Sequence, residues 1–282
     1  MPLNIDYLRS LKFKPSEHTV ADKDAMLYAL SVGLGRNPLD ALDLRYVYEN
    51  NLKVFPTMPL VIGHPGEWTS DPQTGVTRTM VVHGSQRLTM HVELPIGKPV
   101  VTTNEITSVL DKGDKGAVVS IERKTFDKAS GALIAVGESS AFCRADGNFT
   151  GSFGVASEFQ SVPSRHADFS ARVETQENAA LLYRLNQDRN PLHADPAVAR
   201  RAGYERPILH GLCTLGMTAV ALTRWLPDRR LRSLEARFSK PLLPGELLTI
   251  EMWNEGESVA FQVKTDARGG SVVLDRGRAT LE

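Results

Sequence analysis

Gly211-Leu212-Cys213-Thr214-Leu215-Gly216-Met217-Thr218-Ala219-Val220-Ala221-Leu222 is apolar or small on nearly every side, and the pattern runs on to about Trp225. A helix on a protein surface carries a polar face, so a segment without one needs protein all around it. The segment is too short to span a bilayer, and Thr214, Thr218 and Arg224 argue against that environment. The sequence around it is strand-like. Ala117 to Thr125 and Ala132 to Phe142 flank the turn Asp127-Lys128-Ala129-Ser130-Gly131, and Leu247 to Trp253, Ser258 to Thr265 and Val272 to Leu281 are split by Asn254-Glu255-Gly256 and Arg268-Gly269-Gly270. Strands joined by short turns pair antiparallel. The expected architecture is therefore α+β, an antiparallel sheet wrapped around a central helix.

Two halves share one plan. Leu27-Tyr28-Ala29-Leu30 precedes Arg36-Asn37-Pro38-Leu39-Asp40, as Leu182-Tyr183-Arg184-Leu185 precedes Arg189-Asn190-Pro191-Leu192-His193, and Phe55-Pro56 answers Arg206-Pro207 downstream. The shared order indicates an internal duplication. A Gly, Ser and Pro-rich stretch from Arg144 to about Asp168 reads as a surface linker. The expected division is a first repeat over residues 1–150, a linker over 151–168 and a second repeat over 169–282.

With 282 residues, 41% hydrophobic and 23% charged, the chain can bury a sizeable core. Lys+Arg and Asp+Glu balance at 33 each, so no long-range field favours nucleic acid or an anionic membrane as a partner. Cys143 and Cys213 lie in apolar stretches without redox or zinc spacing and are expected as reduced core thiols. The first residues lack a basic region followed by an apolar run, and Ala279-Thr280-Leu281-Glu282 is not a peroxisomal signal, so the expected setting is a bacterial cytoplasm rather than a peroxisome. There is no G-x-G-x-x-G, P-loop or G-x-S-x-G pattern to support a nucleotide cofactor or a serine hydrolase.

The chemistry concentrates in Asp188-Arg189-Asn190-Pro191-Leu192-His193. Pro191 disfavours helix at Asn190, which predicts a shaped loop or broken turn. A carboxylate and a neutral imidazole facing one water can orient it and take its proton, with an amide fixing the geometry. On these residues alone a purely structural reading stays open: Asp188 as a cap, Asn190-Pro191 as a turn, His193 as a satisfied polar side chain. A metal set of Asp188, His193 and Asp195 lacks a convincingly spaced further ligand, and no metal is expected. Downstream, Pro207-Ile208-Leu209-His210-Gly211 places a glycine at a helix start, where free N–H groups can hold an oxyanion or where small size can simply permit tight packing. His18, His64, His91 and His166 are read as solvent-facing or structural.

Tyr183 to Pro196 closely resembles the signature of the (R)-specific 2-enoyl-CoA hydratases, the hydratase 2 group of the MaoC-like dehydratases. Arg206 to Thr214, Ala236 to Pro241, Leu27 to Gly33, His83-Gly84-Ser85-Gln86 and Val109 to Gly113 extend the resemblance over nearly the whole chain. It implies two tandem hot-dog folds forming a pseudo-dimer, each a sheet around a central helix. One departure stands inside the signature: Asn186-Gln187 occupy the place where the family usually has Ser/Thr-Gly.

Carried over, the resemblance implies that Asp188 and His193 activate water, that Asn190 positions one of them, and that the Gly211 amide binds the thioester oxygen. His83, Gly84, Lys112 and Phe238 match acyl-CoA-binding positions, with Lys112 suited to a CoA phosphate. The implied reaction is reversible hydration of trans-2-enoyl-CoA to (3R)-3-hydroxyacyl-CoA in fatty acid metabolism, with CoA thioester as substrate, no cofactor, and a homodimer as a possible assembly. Aligned on the repeat, Gly35 stands for Asp188, Asp40 for His193 and Leu60 for Gly211, so the first copy is expected to be degenerate and to supply an acyl pocket. Alternatives are a dehydratase of short or branched acyl-CoA and a non-catalytic acyl-CoA binder.

Overall fold

Leu231–Phe238, the strand that follows the apolar helix, pairs with Val81–Met90 of the first half, from Ser85 opposite Arg237 to Thr89 opposite Ser233. That ladder joins the two halves into one sheet in a computed structural model that describes residues 3–282. The strands are β1 (Ser16–Thr19), β2 (Val81–Met90), β3 (Pro99–Asp111), β4 (Ala117–Asp127), β5 (Leu133–Cys143), β6 (Phe169–Glu174), β7 (Leu231–Phe238), β8 (Leu247–Asn254), β9 (Ser258–Thr265) and β10 (Ser271–Leu281). Their order is β1-β3-β4-β5-β2-β7-β10-β9-β8-β6. Reading outward from the β2–β7 junction, the first half runs β5, β4, β3, β1 and the second β10, β9, β8, β6, so each strand meets its counterpart by a pseudo-twofold. All the ladders are antiparallel, as the turn chemistry requires.

Helices α1 (Ile5–Ser10), α2 (Asp22–Ser31) and α3 (Ala41–Val47) belong to the first half, and α4 (Ala179–Tyr183), α5 (Pro196–Arg201) and α6 (Gly211–Trp225) to the second. α6 is the apolar segment, and every residue from Cys213 to Leu222 is buried. Its far side rests on the first half, where a Cβ added to Gly216 would lie 2.5 Å from Val32 Cγ1 and 3.5 Å from the Tyr28 hydroxyl. The repeat-related Tyr28 and Tyr183 meet beside it, with ring centroids 6.2 Å apart.

The halves differ from the expected plan at one place. Where the second half has α6, the first has a single 3-10 turn, Met58–Val61. Pro56, Pro59, Gly63 and Pro65 crowd this stretch, and prolines in a helix interior remove hydrogen bonds and clash with the preceding turn. The sheet of the first half thus surrounds no helix of its own.

One hydrophobic cluster runs through both halves, holding Val32, Leu60, Leu88, Leu215, Leu234 and Phe261 among others. A second, smaller one lies under α1 and includes Leu8, Val119, Ile121 and Cys143. Both cysteines are buried and unpaired, and burial pushes the Cys143 thiol up to about 12. Among the described residues no helix is long and apolar enough to cross a membrane.

Charge also binds the halves. Arg224, near the end of α6, donates from Nη2 to both carboxylate oxygens of Asp43 at 2.8 Å, and Asp43 accepts the Gly35 amide at 2.7 Å. The Asp43 side chain has no solvent exposure, whereas Arg224 is 39% exposed and partly screened. Asp43→Ala leaves the Gly35 amide unsatisfied and is expected to destabilise the fold by about 2–4 kcal/mol, most of it desolvation rather than ion pairing, as read by urea denaturation.

Candidate active site

After α4 the chain turns through Asn186-Gln187, and a buried amide holds the turn. Asn186 Nδ2 donates to Ser31 Oγ on α2 and to the Tyr183 carbonyl, both at 2.9 Å, which moors the loop to the first half. Gln187 sits at φ +75°, in the left-handed region that favours glycine. This explains why glycine is usual there.

Beyond the turn, short polar contacts shape the loop. Asp188 Oδ1 accepts the Asn190 amide at 3.1 Å, and Asn190 Oδ1 accepts the Leu192 amide at 3.1 Å, capping a 3-10 turn over Pro191–His193. Asn190 is exposed, and its observed contact is with the backbone that presents His193. His193 is buried, and its Nδ1 lies 2.8 Å from the Ile208 carbonyl oxygen. A carbonyl can only accept, so Nδ1 carries the proton and neutral His193 is left with its lone pair on Nε2. The cap is thus Asn190 and not Asp188, whose side chain closes the turn before it, and the same contacts bring Asp188 and His193 to one place.

His210 completes the cluster. It is 2% exposed, stacks on His193 with centroids 3.7 Å apart, and packs on Tyr183 at 5.0 Å. Its Nε2 is 3.8 Å from Asp188 Oδ2, beyond hydrogen-bonding reach, and both its ring nitrogens and the Tyr183 hydroxyl lack a protein partner. Burial pushes His210 down to about 3, assisted by His193, and pushes His193 down against the opposing charge of Asp188. Both rings are thus held neutral at pH 7, the state in which an imidazole can accept a proton.

Gly211 follows at the start of α6, which has no side-chain cap, so its first amides are open to a ligand. A Cβ there would lie 2.7 Å from the Phe238 ring, and Phe238 in turn packs on His83 at 4.4 Å. His83 is pushed down to about 4 by burial, its Nε2 has no partner, and it lies close enough for Asp188 to act on its charge. Gly84 forms the irregularity between β2 and β5, where a Cβ would press within 2.7 Å of Ser140 Oγ. Lys112 is exposed at the β3–β4 turn, outside this cluster. The structure therefore gathers Asp188, His193, Gly211, Phe238 and His83, with Asn190 and Gly84 shaping the backbone around them.

Asp188, His193 and His210 place one possible ligand atom each within 4.8 Å of one another, a set the sequence reading did not contain. Asp195, weighed there as a ligand, instead caps α5 through the Ala197 amide at 2.7 Å. The donor chemistry fits a metal poorly, because His193 Nδ1 is committed to Ile208 and stacked imidazoles run their in-plane lone pairs side by side.

Two residues at the site were not singled out from sequence. His210 was legible only as the neighbour of Gly211, since its stacking partner is remote in the chain. His64, read as solvent-facing or structural, is exposed, but Asp188 acts on its charge and its Nδ1 accepts the Gly66 amide at 3.2 Å. In the first repeat the corresponding positions do structural work: Gly35 donates to Asp43, Asp40 caps α3 through the Leu42 amide at 2.9 Å, and Leu60 is buried.

The left-handed backbone at position 187 makes a clear prediction. Gln187→Gly is expected to retain activity and to raise stability by up to about 1 kcal/mol, while Gln187→Val loses about 1–3 kcal/mol of loop order, both read by thermal melts alongside steady-state rates.

Known proteins match both halves of the chain. Residues 18–145 match the MFE-2 hydratase 2 N-terminal domain and residues 158–274 the MaoC like domain. The chain is 36% identical over 296 residues to a probable enoyl-CoA hydratase 2 of Dictyostelium discoideum, covering all of this chain and 98% of the relative. A solved MaoC-like dehydratase from Phytophthora capsici superposes with a TM-score of 0.85 at 28% identity, over 99% of each chain. The full-length peroxisomal multifunctional enzyme type 2 of Drosophila melanogaster superposes with a TM-score of 0.82 at 30% identity over 95% of this chain, which spans 48% of that enzyme. With both halves matched in order, and the same double hot-dog arrangement, the chain belongs to the MaoC-like enoyl-CoA hydratase 2 family.

Proposed function

We propose that the protein is a hydro-lyase that adds water reversibly across the double bond of trans-2-enoyl-CoA, giving (3R)-3-hydroxyacyl-CoA in fatty acid metabolism. The observation that carries the reading is the His193 Nδ1 contact with Ile208, which leaves the Nε2 lone pair free in a cluster that holds Asp188, His193 and His210 before the uncapped start of α6.

The chemistry follows from that placement. Asp188 and His193 orient a water, and His193 Nε2 takes its proton as the water oxygen bonds to C3. The C2–C3 π electrons move toward C1, and the charge developing on the thioester oxygen is met by the Gly211 amide and the positive end of α6. Such donors act strongly where water is excluded. The proton then returns to C2, so atoms and charge balance with no redox carrier or cofactor. Asn190 acts by capping the turn that aims His193. His83, Gly84 and Phe238 would line the acyl thioester, and Lys112 would meet a CoA phosphate from its exposed turn.

The first half would supply the acyl pocket. Its own counterparts of the acid, the imidazole and the glycine are engaged structurally, which supports one active site per chain. From the family resemblance the proposal also takes a homodimer, read by light scattering.

Spectrophotometric hydration of trans-2-enoyl-CoAs of increasing length, with chiral analysis of the product, tests the reading directly. Asp188→Asn and His193→Ala are each expected to lower kcat by about 10²–10⁴-fold. The Asp188→Ala, His193→Ala double variant should fall little further, and wild-type rates in it would sink the assignment. Gly211→Ala keeps the amide but presses on Phe238, and a displacement of about 1 Å costs on the order of 10²-fold. Because burial lowers the His193 pKa, the imidazole stays unprotonated below its ordinary value of 6.5. The rate plateau should therefore extend below pH 6.5 and decline only in more acidic buffer.

A further inference from the structure

The inner face of the first-half sheet is apolar at one end, carries buried threonines at the other and holds a charge between them. Alternate residues of β4 share a face, so 117, 119, 121, 123 and 125 point together. Ala117, Val119 and Ile121 join the cluster beneath α1, and Thr125 is buried against Thr102. Arg123 falls between them, opposite Asn104 on β3 and Gly137 on β5. A Cβ on Gly137 would sit 3.4 Å from Leu60, which identifies this as the face that the 3-10 turn of the first half covers in place of a central helix.

Arg123 extends into that space. Its Nη1 donates to the Leu60 carbonyl at 2.7 Å and its Nε to Asn104 Oδ1 at 3.3 Å, while Asn104 Nδ2 donates to the Gly63 carbonyl at 3.0 Å. Among the described residues no carboxylate lies within ion-pairing distance of Arg123, although most other interior charges here are paired. An inward-facing guanidinium without a counter-ion is costly, and arginine has a planar fork suited to a carboxylate. Arg123 nevertheless keeps partial solvent access. Burial lowers its pKa to about 10, and burial with the Arg123 charge added lowers His64 and His83, so the guanidinium is within Coulombic reach of both.

We infer that Arg123 is a specificity-determining residue that pairs with a carboxylate on the far end of the acyl chain, so the favoured substrates are ω-carboxylated enoyl thioesters. The inference rests on the proposed hydratase reading for the direction in which the chain enters. A CoA phosphate is a poorer occupant, because Lys112 already offers an exposed cation.

The test compares hexanoyl-CoA with adipoyl-CoA and octanoyl-CoA with suberoyl-CoA by calorimetric binding, and the matching trans-2-enoyl thioesters by kcat/KM. The wild type is expected to favour the carboxylated member of at least one pair by about 10–100-fold, the range of a charge-assisted hydrogen bond, with Arg123→Gln abolishing the preference and Arg123→Lys keeping part of it. Ratios taken within one variant do not depend on how much of it is folded. A wild-type preference for the plain chains at every length, or a ratio unchanged in Arg123→Gln, overturns the inference while leaving hydration standing. An equal loss of affinity for free CoA in Arg123→Gln also overturns it, by assigning Arg123 to the phosphates. Arg123-dependent binding of adipoyl- or suberoyl-CoA without turnover of any enoyl-CoA supports the pocket and overturns the hydratase reading.

Discussion

A helix that is apolar on all sides must be enclosed, and the fold is organised around meeting that condition for α6. Its own half wraps one side, and the other half closes the rest through Val32 and Tyr28. Because only one such helix exists, the two repeats cannot be equivalent. The first contributes sheet, α2 and a short turn where a helix would lie.

The same enclosure sets the electrostatics of the site. His193 and His210 stack in a buried pocket at the start of α6, where burial keeps both rings neutral and a backbone carbonyl selects the tautomer of one. Unpartnered nitrogens on His83 and His210 are costly in a finished protein core, and their concentration beside Asp188 marks a place built for a polar guest. Asn186, reaching across to Ser31, couples the loop that carries Asp188 to the first half. The first repeat thus braces the loop of the second.

Much of this was legible beforehand, for identifiable reasons. The strands flanking Asp127 to Gly131 and Asn254 to Gly256 follow from local turn chemistry, and their observed bounds differ from the expected ones by one or two residues. Asp188, Asn190 and His193 lie within six residues, so a single loop could hold them and their proximity was never in question. His210, His64 and Arg123 were another matter. Each acts on a partner distant in the chain, and a histidine or an inward arginine looks the same in sequence whether it is satisfied or not. The missing helix of the first half was obscured by the repeat itself, since matching Leu-Tyr and Arg-Asn-Pro-Leu blocks suggested matching elements after them.

By itself, the sequence determined the duplicated plan, the antiparallel pairing, the one enclosed helix and the loop chemistry of the second repeat, because all of these follow from periodicity, turn residues and short spacings. Tertiary structure alone decided which half keeps the helix, which nitrogen of His193 is free, and which charges remain without partners. Those outcomes depend on burial and on contacts between remote segments, and burial is a property of the assembled sheet and not of any stretch of chain.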